Sequence, residues 1–387
     1  MAYSFSLTPE QEVLQLQARK FAQEVVAPIA EEIDASDKLP WEIVEKMAEP
    51  PYQWMGISVP EEFGGNKRKV LDICLIAEEL GTKSAVCVAL IEIASLAVVP
   101  IVLYGTQDQK KRLLPRVAKG EGVGCFCLTE PAAGSDAAGI RTVAEKDGDS
   151  YVLNGRKRYA SFASQADYAI VFAKTDPAKG AKGISAFIVE RETPGFRIIE
   201  KISCLGMRGH QDEEVILENC QIPKESLLGE EGKGLKCGLS TLDKTRTTLA
   251  AGYVGLARGA LEEAIDYARK RYAFGSRLAD FQAISFPIAE AHILIEAARL
   301  LTHRAAWMAD QGLPHTAQTA AAKSLASEAM LKATDLAVTV HGGIGCTRRF
   351  RVERLYRDAK IWTFAQGTPN ILKMVVAREI ISKVDQL

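Results

Sequence analysis

The residues best suited to chemistry in this 387-residue chain are two hydroxyls on one turn and one acid inside an apolar run. Thr129 and Ser135 flank the turn of Leu128–Asp136 (LTEPAAGSD), which follows a strand-like stretch. Hydroxyls and backbone N–H groups on such a turn suit a planar heterocycle or a phosphate, although a simple loop has the same composition. Glu92 stands alone in the apolar segment Ala85–Tyr104, where an unpaired carboxylate is costly.

Other chemical signatures are missing from the sequence. The 8 cysteines and 5 histidines are scattered without CxxC or HExxH spacing, so neither a metal site nor a disulfide framework is expected. This cysteine usage favours a reducing compartment, and we expect a bacterial cytoplasmic protein. His341–Cys346 (HGGIGC) is not GxGxxG and follows no strand, which favours a helix end and a turn over nucleotide contact.

Composition favours a soluble globular protein of more than one lobe. Hydrophobic residues make up 47% and charged residues 25% of a chain too long for one ordinary core. The formal net charge of -1 argues against a nucleic-acid binder, which would be strongly basic. Ala85–Tyr104 is nearly long enough to span a bilayer, but Glu92 and Pro100 interrupt it. We therefore expect a buried core helix that ends in a turn, and no membrane association.

Periodicity predicts a fold that is mixed α and β, and mostly α. The first lobe has helical spacing and begins at Thr8, Pro9 and Gln11, a capping box rather than a targeting signal. The second has short β runs, including a hairpin with Asp147-Gly148 at its tip. Helical spacing then returns. The expected domains are helical at 1–121, β at 122–230 and helical at 231–387.

Six segments, in this order along the chain, resemble the acyl-CoA dehydrogenase family: GCFCLTEPAAGSDAAGIRT, YVLNGRKRYAS, LDKTR, RYAFGSRLADFQAISF, VHGGIG and RLYRDAK. The resemblance covers essentially the whole chain. It implies an N-terminal helical domain, a middle β-barrel domain and a C-terminal four-helix bundle in a homotetramer. It also implies FAD as cofactor, an acyl-CoA thioester as substrate and electron-transfer flavoprotein as electron acceptor.

The resemblance further implies which residues form the site. Around the flavin ring it places Phe126, Leu128, Thr129, Tyr159 (usually Trp) and Ser161 (usually Thr). The residues that would reach across a subunit interface to the neighbour's FAD are Arg271, on the pyrophosphate, Phe274 and Gln282. Further FAD contacts would come from Gly342, Gly343, Thr368 and Asn370. The CoA thioester would be held by Ser135, Asp243, Thr245, Arg246 and Gly367.

The catalytic base of the resembled family is missing from its usual places. The common YEGT sequence carries a Glu, whereas Ala365–Thr368 reads AQGT, with Gln366 in its place. A second branch carries the Glu one residue before the Arg of LDKTR, where this chain has Thr245. Loss of a general base typically costs a factor of roughly 10²–10⁴. Ordinary α,β-desaturation is therefore expected to be poor.

Three interpretations remain open. In the first, Glu92 is a relocated base at the wall of the acyl pocket, where desolvation would raise its pKa; the alternative is a pocket-floor acid without catalytic duty. In the second, the protein cleaves a β-substituent and needs no α-base. In the third, it binds flavin and acyl-CoA without chemistry, against which the retention of Thr129, Ser161, Arg246 and Arg271 argues.

Within the first interpretation, an alicyclic substrate is favoured. In cyclohex-1-ene-1-carboxyl-CoA the carbon next to the carbonyl carries no proton, so a base beside the carbonyl is useless. A 1,4-elimination of a γ-proton and a distant hydride requires a base deeper in the pocket, which Glu92 would supply.

Overall fold

The computed structural model describes residues 6–382, so the first five residues of the segment predicted to lack a targeting signal lie outside it. Its N-terminal region is helical, with α1 Pro9–Phe21, α2 Ala27–Ser36, α3 Glu42–Ala48, α4 Val70–Gly81, α5 Ala85–Tyr104 and α6 Gln107–Ala118. The predicted capping box is confirmed. The Gln11 N–H donates to the Thr8 hydroxyl, the Thr8 N–H donates to the Gln11 side chain, and Pro9 is the first helical residue.

Helix α5 lies at the centre of this region. It is long and apolar enough to cross a membrane by composition, and in this fold most of its side chains are buried. The prediction that Pro100 ends it was wrong, because the helix continues to Tyr104. Proline inside a helix removes one hydrogen bond. Here the neighbouring Val98 and Ile101 are buried in a hydrophobic cluster, and this packing keeps the last turn helical.

The middle region is a seven-stranded sheet. Its strands are β1 Gly124–Cys127, β2 Val143–Asp147, β3 Ser150–Ser161, β4 Tyr168–Lys174, β5 Ile184–Glu190, β6 Phe196–Lys201 and β7 Asp212–Pro223. The spatial order is β1-β4-β2-β3-β7-β6, with β5 paired to β4. The predicted hairpin is confirmed: Asp147 pairs with Ser150, and Gly148 turns the chain with φ +59°.

The C-terminal region is helical again. It comprises α7 Gly234–Lys270, a small hairpin of β8 Tyr272–Ala273 and β9 Ser276–Arg277, α8 Gln282–Asp310, α9 Thr316–His341, α10 Val352–Trp362 and α11 Pro369–Ile381. Helix α9 packs against α7, α8 and α11. It ends at His341, and Gly342 opens a tight turn with φ +66°. The overall class, mixed α and β and mostly α, is confirmed.

All three regions meet along α7. This helix contacts α4 and α5 of the first region and β4 and β5 of the sheet. Close approach requires glycine: a Cβ at Gly255 would lie 2.1 Å from the carbonyl oxygen of Glu78 on α4. A Cβ at Gly252 would lie 2.8 Å from Val88 of α5 and 2.7 Å from the Trp362 ring. The glycines of α7 therefore bring α5 and the end of α10 together.

Candidate active site

The loop between α10 and α11 brings together the two positions where a base was expected. Gln366 has left-handed backbone geometry, with φ +52°, which turns its side chain toward α7. Its Oε1 lies 3.0 Å from the hydroxyl of Thr245, and its carbonyl oxygen accepts a 3.0 Å hydrogen bond from Arg246 Nε. Both expected positions are thus neutral side chains in contact with each other. Neither serves as a proton acceptor at neutral pH.

Arg246 is the buried cation of this group. Its Nη1 donates to Asp243 Oδ1 over 3.0 Å, and the hydroxyl of Thr316 donates to the other oxygen of the same carboxylate, also over 3.0 Å. Asp243 and Arg246, both expected to hold the CoA thioester, therefore orient each other. Ser135, expected to join them, is exposed on the turn after β1.

Glu92 is the buried acid of the site. Val88, one helical turn earlier on α5, faces Gly252 of α7, so Glu92 continues the α5 face that packs on α7. Its side chain is 4% exposed, and its Oε1 has no hydrogen-bond partner within residues 6–382. Burial raises the pKa of Glu92 well above its ordinary value, and the charge of Lys323 opposes this rise. The sequence-based expectation of a desolvated acid in an apolar wall matches this environment.

Lys323 is the functional group that sequence reasoning missed. It is fully buried on α9, and its Nζ donates to the carbonyl oxygens of Thr363 and Gly367 over 2.8 and 2.6 Å. Burial, helped by Arg246 and opposed by Glu92, lowers the pKa of Lys323 to about 7. The only sequence signal is a lysine among alanines on a helix face, which resembles many exposed lysines.

Tyr253 of α7 completes this buried group. Its hydroxyl donates to the carbonyl oxygen of Trp362, at the end of α10. Its ring centroid lies 5.4 Å from the Lys323 Nζ. Burial and the nearby Glu92 carboxylate raise the pKa of Tyr253 well above its ordinary value, so the hydroxyl stays protonated.

The turn after β1 is fixed by a buried ion pair. Glu130 accepts hydrogen bonds from Lys157 Nζ over 2.7 Å, from the Thr142 hydroxyl over 2.6 Å and from two backbone N–H groups. The Arg158 N–H donates to the carbonyl oxygen of Thr129 over 2.8 Å, which ties this turn to β3. Thr129 is thereby held beside the end of β3, where Tyr159 and Ser161 were expected to meet the flavin.

The end of β3 presents an exposed ring and an oriented hydroxyl. Tyr159 is 46% exposed, and a bulge against β7 gives it φ +56°. The hydroxyl of Ser161 donates to Asp212 Oδ1 over 2.8 Å, and His210 Nδ1 lies 3.4 Å from the same oxygen. Although burial opposes it, these contacts lower the pKa of Asp212 below its ordinary value. The Ser161 oxygen is therefore left free as an acceptor.

Most of the remaining expected FAD contacts lie at the far end of α7. Helix α7 has 37 residues, roughly 55 Å at 1.5 Å per residue. Phe126 lies near its first turns, 3.8 Å from a Cβ at Gly238, whereas Arg271 follows its last turn. Gly342 and Gly343 lie at the same end as Arg271, because the preceding His341 stacks on Tyr267 with ring centroids 4.1 Å apart. One chain therefore does not bring the two groups of residues together.

The expected FAD-binding side chains at the far end of α7 are exposed to solvent. Phe274 is 98% exposed, and Arg271 and Gln282 are exposed beside it along the chain. Thr368 and Asn370 belong instead to the start of α11, next to Gln366, where the Thr368 hydroxyl accepts from the Ile371 N–H over 3.3 Å and caps the helix.

The donor set fits FAD. Apart from the adjacent residues and the local helix backbone, no atom of residues 6–382 would lie within 4 Å of a Cβ at Gly342 or Gly343, which leaves room for backbone contact with a cofactor. The guanidinium of Arg271 has no ion-pair partner within the described residues and suits a pyrophosphate. At the other end, Thr129 is tied to β3 through Arg158, and the hydroxyl of Ser161 is oriented by Asp212. Hydroxyls held in this way suit the polar edge of an isoalloxazine.

Three family models match the chain in order. They are described as the acyl-CoA dehydrogenase N-terminal domain over residues 8–121, middle domain over 125–220 and C-terminal domain over 232–381. The chain is 42% identical to acryloyl-CoA reductase (NADH) of Anaerotignum propionicum, covering 98% of this chain and 96% of that protein. It is 40% identical to the short-chain specific acyl-CoA dehydrogenase of Clostridium acetobutylicum, covering 97% and 99%.

A third relative and two solved structures are similar over the same length. The caffeyl-CoA reductase-Etf complex subunit CarC of Acetobacterium woodii is 39% identical, covering 95% of this chain and 97% of that protein. Butyryl-CoA dehydrogenase from Megasphaera elsdenii superposes with a TM-score of 0.92 at 36% identity, covering 98% and 100%. A chain of the structure described as the electron transferring flavoprotein of Acidaminococcus fermentans gives 0.94 at 39% identity, covering 98% and 99%.

Proposed function

Because this chain belongs to the acyl-CoA dehydrogenase family, as an FAD-dependent acyl-CoA oxidoreductase, we propose that its substrate is alicyclic and that Glu92 is its base. The proposed reaction converts a thioester such as cyclohex-1-ene-1-carboxyl-CoA to a conjugated diene by 1,4-elimination. One observation carries the proposal: the buried Glu92 carboxyl has an oxygen without a hydrogen-bond partner among residues 6–382, while Thr245 and Gln366 fill both other base positions.

The chemistry of the substrate matches this arrangement. The ring carbon attached to the thioester carbonyl has no hydrogen, so the proton must leave from a carbon farther along the ring. Glu92 accepts this proton as the C–H bond of the substrate ring breaks, and the electron pair of that bond enters the conjugated system. FAD, when bound, supplies the acceptor for the hydride that leaves from the ring. The products are the diene, a protonated Glu92 and the two-electron-reduced cofactor.

The loop around Gln366 would stabilise the charge that develops on the thioester oxygen. Within residues 6–382, neither the Gln366 N–H nor the Gly367 N–H has a hydrogen-bond acceptor in the chain. Backbone donors held in place before the reaction are effective because no reorganisation is needed as charge develops. The loop thus keeps a role in carbonyl binding after losing its base.

The environment of Glu92 supports proton abstraction near neutral pH. A carboxylate of ordinary pKa is a weak base, and a general base works best when its pKa lies near the working pH. Burial moves the pKa of Glu92 in this direction. The opposing charge of Lys323 limits the rise and helps the carboxyl to ionise.

We also propose a homotetramer that passes electrons to electron-transfer flavoprotein. The separation of the two FAD-binding groups along α7 supports this assembly, in which a second subunit would complete each cofactor site. The exposed Phe274 and Arg271 are available for such a contact. The relative from Acetobacterium woodii is named as part of a complex with Etf, which supports the electron acceptor.

The direct test is a titration of the purified yellow protein with several acyl-CoA thioesters under anaerobic conditions. The proposal predicts bleaching of the flavin absorbance by cyclohex-1-ene-1-carboxyl-CoA and little bleaching by butyryl-CoA. Bleaching by butyryl-CoA at a comparable rate contradicts the relocated base. If neither thioester bleaches the flavin, removal of a β-substituent becomes the better candidate reaction.

A second candidate is the reduction of a conjugated thioester, favoured by the two relatives named as reductases. It predicts that chemically reduced enzyme is reoxidised by acryloyl-CoA within seconds. Slow reoxidation by acryloyl-CoA, together with rapid bleaching by the cyclohexene thioester, would leave the first candidate as the better one.

A further inference from the structure

Lys323 joins both ends of the loop that carries Gln366. We call residues 363–367 the carbonyl loop. The Lys323 Nζ binds the carbonyl oxygen of Thr363 at its start, over 2.8 Å, and that of Gly367 at its end, over 2.6 Å. A single side chain therefore sets the distance between the two ends of the loop.

The conformation between these two ends needs support. Gln366 has φ +52°, in the left-handed region of backbone conformation. Residues other than glycine adopt this region at an energetic cost, so surrounding contacts must hold them there. Arg246 contributes one such contact, to the carbonyl oxygen of Gln366. Thr245 contributes another, to the Gln366 side chain, and Lys323 contributes two more, both to backbone carbonyl oxygens of the loop.

Burial of the charged form of Lys323 is energetically unfavourable. A fully buried ammonium without a hydrogen-bonded carboxylate is unfavourable, and a neutral polar or apolar residue would avoid that penalty. The Tyr253 ring of α7 lies beside it, and the charges that act on it are those of Arg246 on α7 and Glu92 on α5. Of these, only Glu92 carries a negative charge that the ammonium stabilises. The position therefore suits a residue that supports both the loop and the acid.

We propose that Lys323 is a positioning residue, which holds the carbonyl loop in its thioester-binding geometry and stabilises the ionised form of Glu92. The first part concerns carbonyl binding and holds for any thioester that enters the site. The second part rests on the proposed function, because it matters only if Glu92 is the base. The two parts have separate readouts.

The test compares Lys323→Met with Lys332→Met in the FAD-loaded protein. Lys332 lies on the same helix, is partly exposed and pairs with Glu290 over 2.9 Å, so its replacement controls for a lost lysine on α9. The carbonyl stretch of bound butyryl-CoA, ¹³C-labelled at the thioester carbonyl, is recorded by infrared difference spectroscopy. The parent and Lys332→Met should shift this band to lower frequency, and Lys323→Met should lose most of the shift. Its kcat should fall about tenfold or more with a smaller change in KM.

The pH profile tests the charge. Lys323 lowers the pKa of Glu92, so its removal should raise that pKa and move the acidic limb of the rate profile to higher pH. If Lys323→Met does not retain FAD, Lys323→Gln removes the charge with a smaller perturbation and is assayed in the same way. A full carbonyl shift together with a parental acidic limb would overturn the proposal. The carbonyl shift still tests the loop if Glu92 proves not to be the base.

Discussion

Replacing Glu92 by Gln should stabilise the protein, and the gain should grow with pH. In the unfolded chain this carboxyl titrates near its ordinary pKa of 4.5, whereas burial holds the pKa well above that value in the folded protein. Between these two pKa values the folded state binds more protons than the unfolded state. The free energy of unfolding of the parent therefore falls as pH rises through this window. Gln does not titrate and avoids this loss.

The magnitude follows from the same linkage. Each pH unit inside the window corresponds to about 1.4 kcal/mol of unfolding free energy. The stabilisation should be small at pH 5 and clear at pH 6.5. Urea unfolding of parent and variant at matched protein and FAD concentrations measures it, because cofactor binding and assembly also affect stability.

A surface substitution provides the control for this experiment. Glu24→Gln changes an exposed acid near Lys20 and should show no comparable trend with pH. A difference in unfolding free energy between Glu92→Gln and the parent that stays constant from pH 5 to pH 6.5 would refute the reasoning. In that case Glu92 would not be a strongly desolvated carboxyl, and its suitability as a base would be lost.

Three further substitutions test separate parts of the site. Gln366→Glu restores a carboxylate beside the carbonyl-binding N–H and should raise the rate of flavin bleaching by butyryl-CoA by roughly 10²-fold or more. If butyryl-CoA still bleaches the variant as slowly as the parent, the missing base at position 366 is not what limits the reaction. Arg271→Ala should purify with little FAD, while the exposed neighbour Arg269→Ala should keep full occupancy, and equal FAD content in both would argue against the interface assignment. Lys157→Met leaves the buried Glu130 without its cation and should lower the free energy of unfolding, measured by urea titration, by about 3 kcal/mol. An unchanged free energy of unfolding would show that the ion pair is dispensable.

Local sequence signals predicted the elements well where local interactions decide them. The capping box of Thr8 and Gln11 and the hairpin turn at Gly148 depend on a few neighbouring residues, and both form as expected. Pro100 was misjudged because its effect depends on tertiary packing. The buried side chains around it favour a continuous α5 more than the lost hydrogen bond disfavours it.

The site was only partly predictable because its contacts join distant segments. Glu92 could be recognised as a buried acid from its apolar neighbours alone. The contact between Gln366 and Thr245 joins residues 121 positions apart, and the one between Lys323 and Gly367 joins residues 44 apart. No local pattern distinguishes Lys323 from an exposed lysine, because its partners are backbone carbonyls that reach it only in the folded protein.

The most direct test of the relocated base is single-turnover flavin bleaching of Glu92→Gln by cyclohex-1-ene-1-carboxyl-CoA. The substitution is nearly isosteric, so FAD content and thioester affinity should match the parent. If Glu92 is the base, the bleaching rate should fall by about 10²-fold or more, and the acidic limb of its pH profile should disappear, because that limb reports the titration of Glu92 itself. A variant that bleaches at the parental rate, with the acidic limb unchanged, would contradict this role of Glu92.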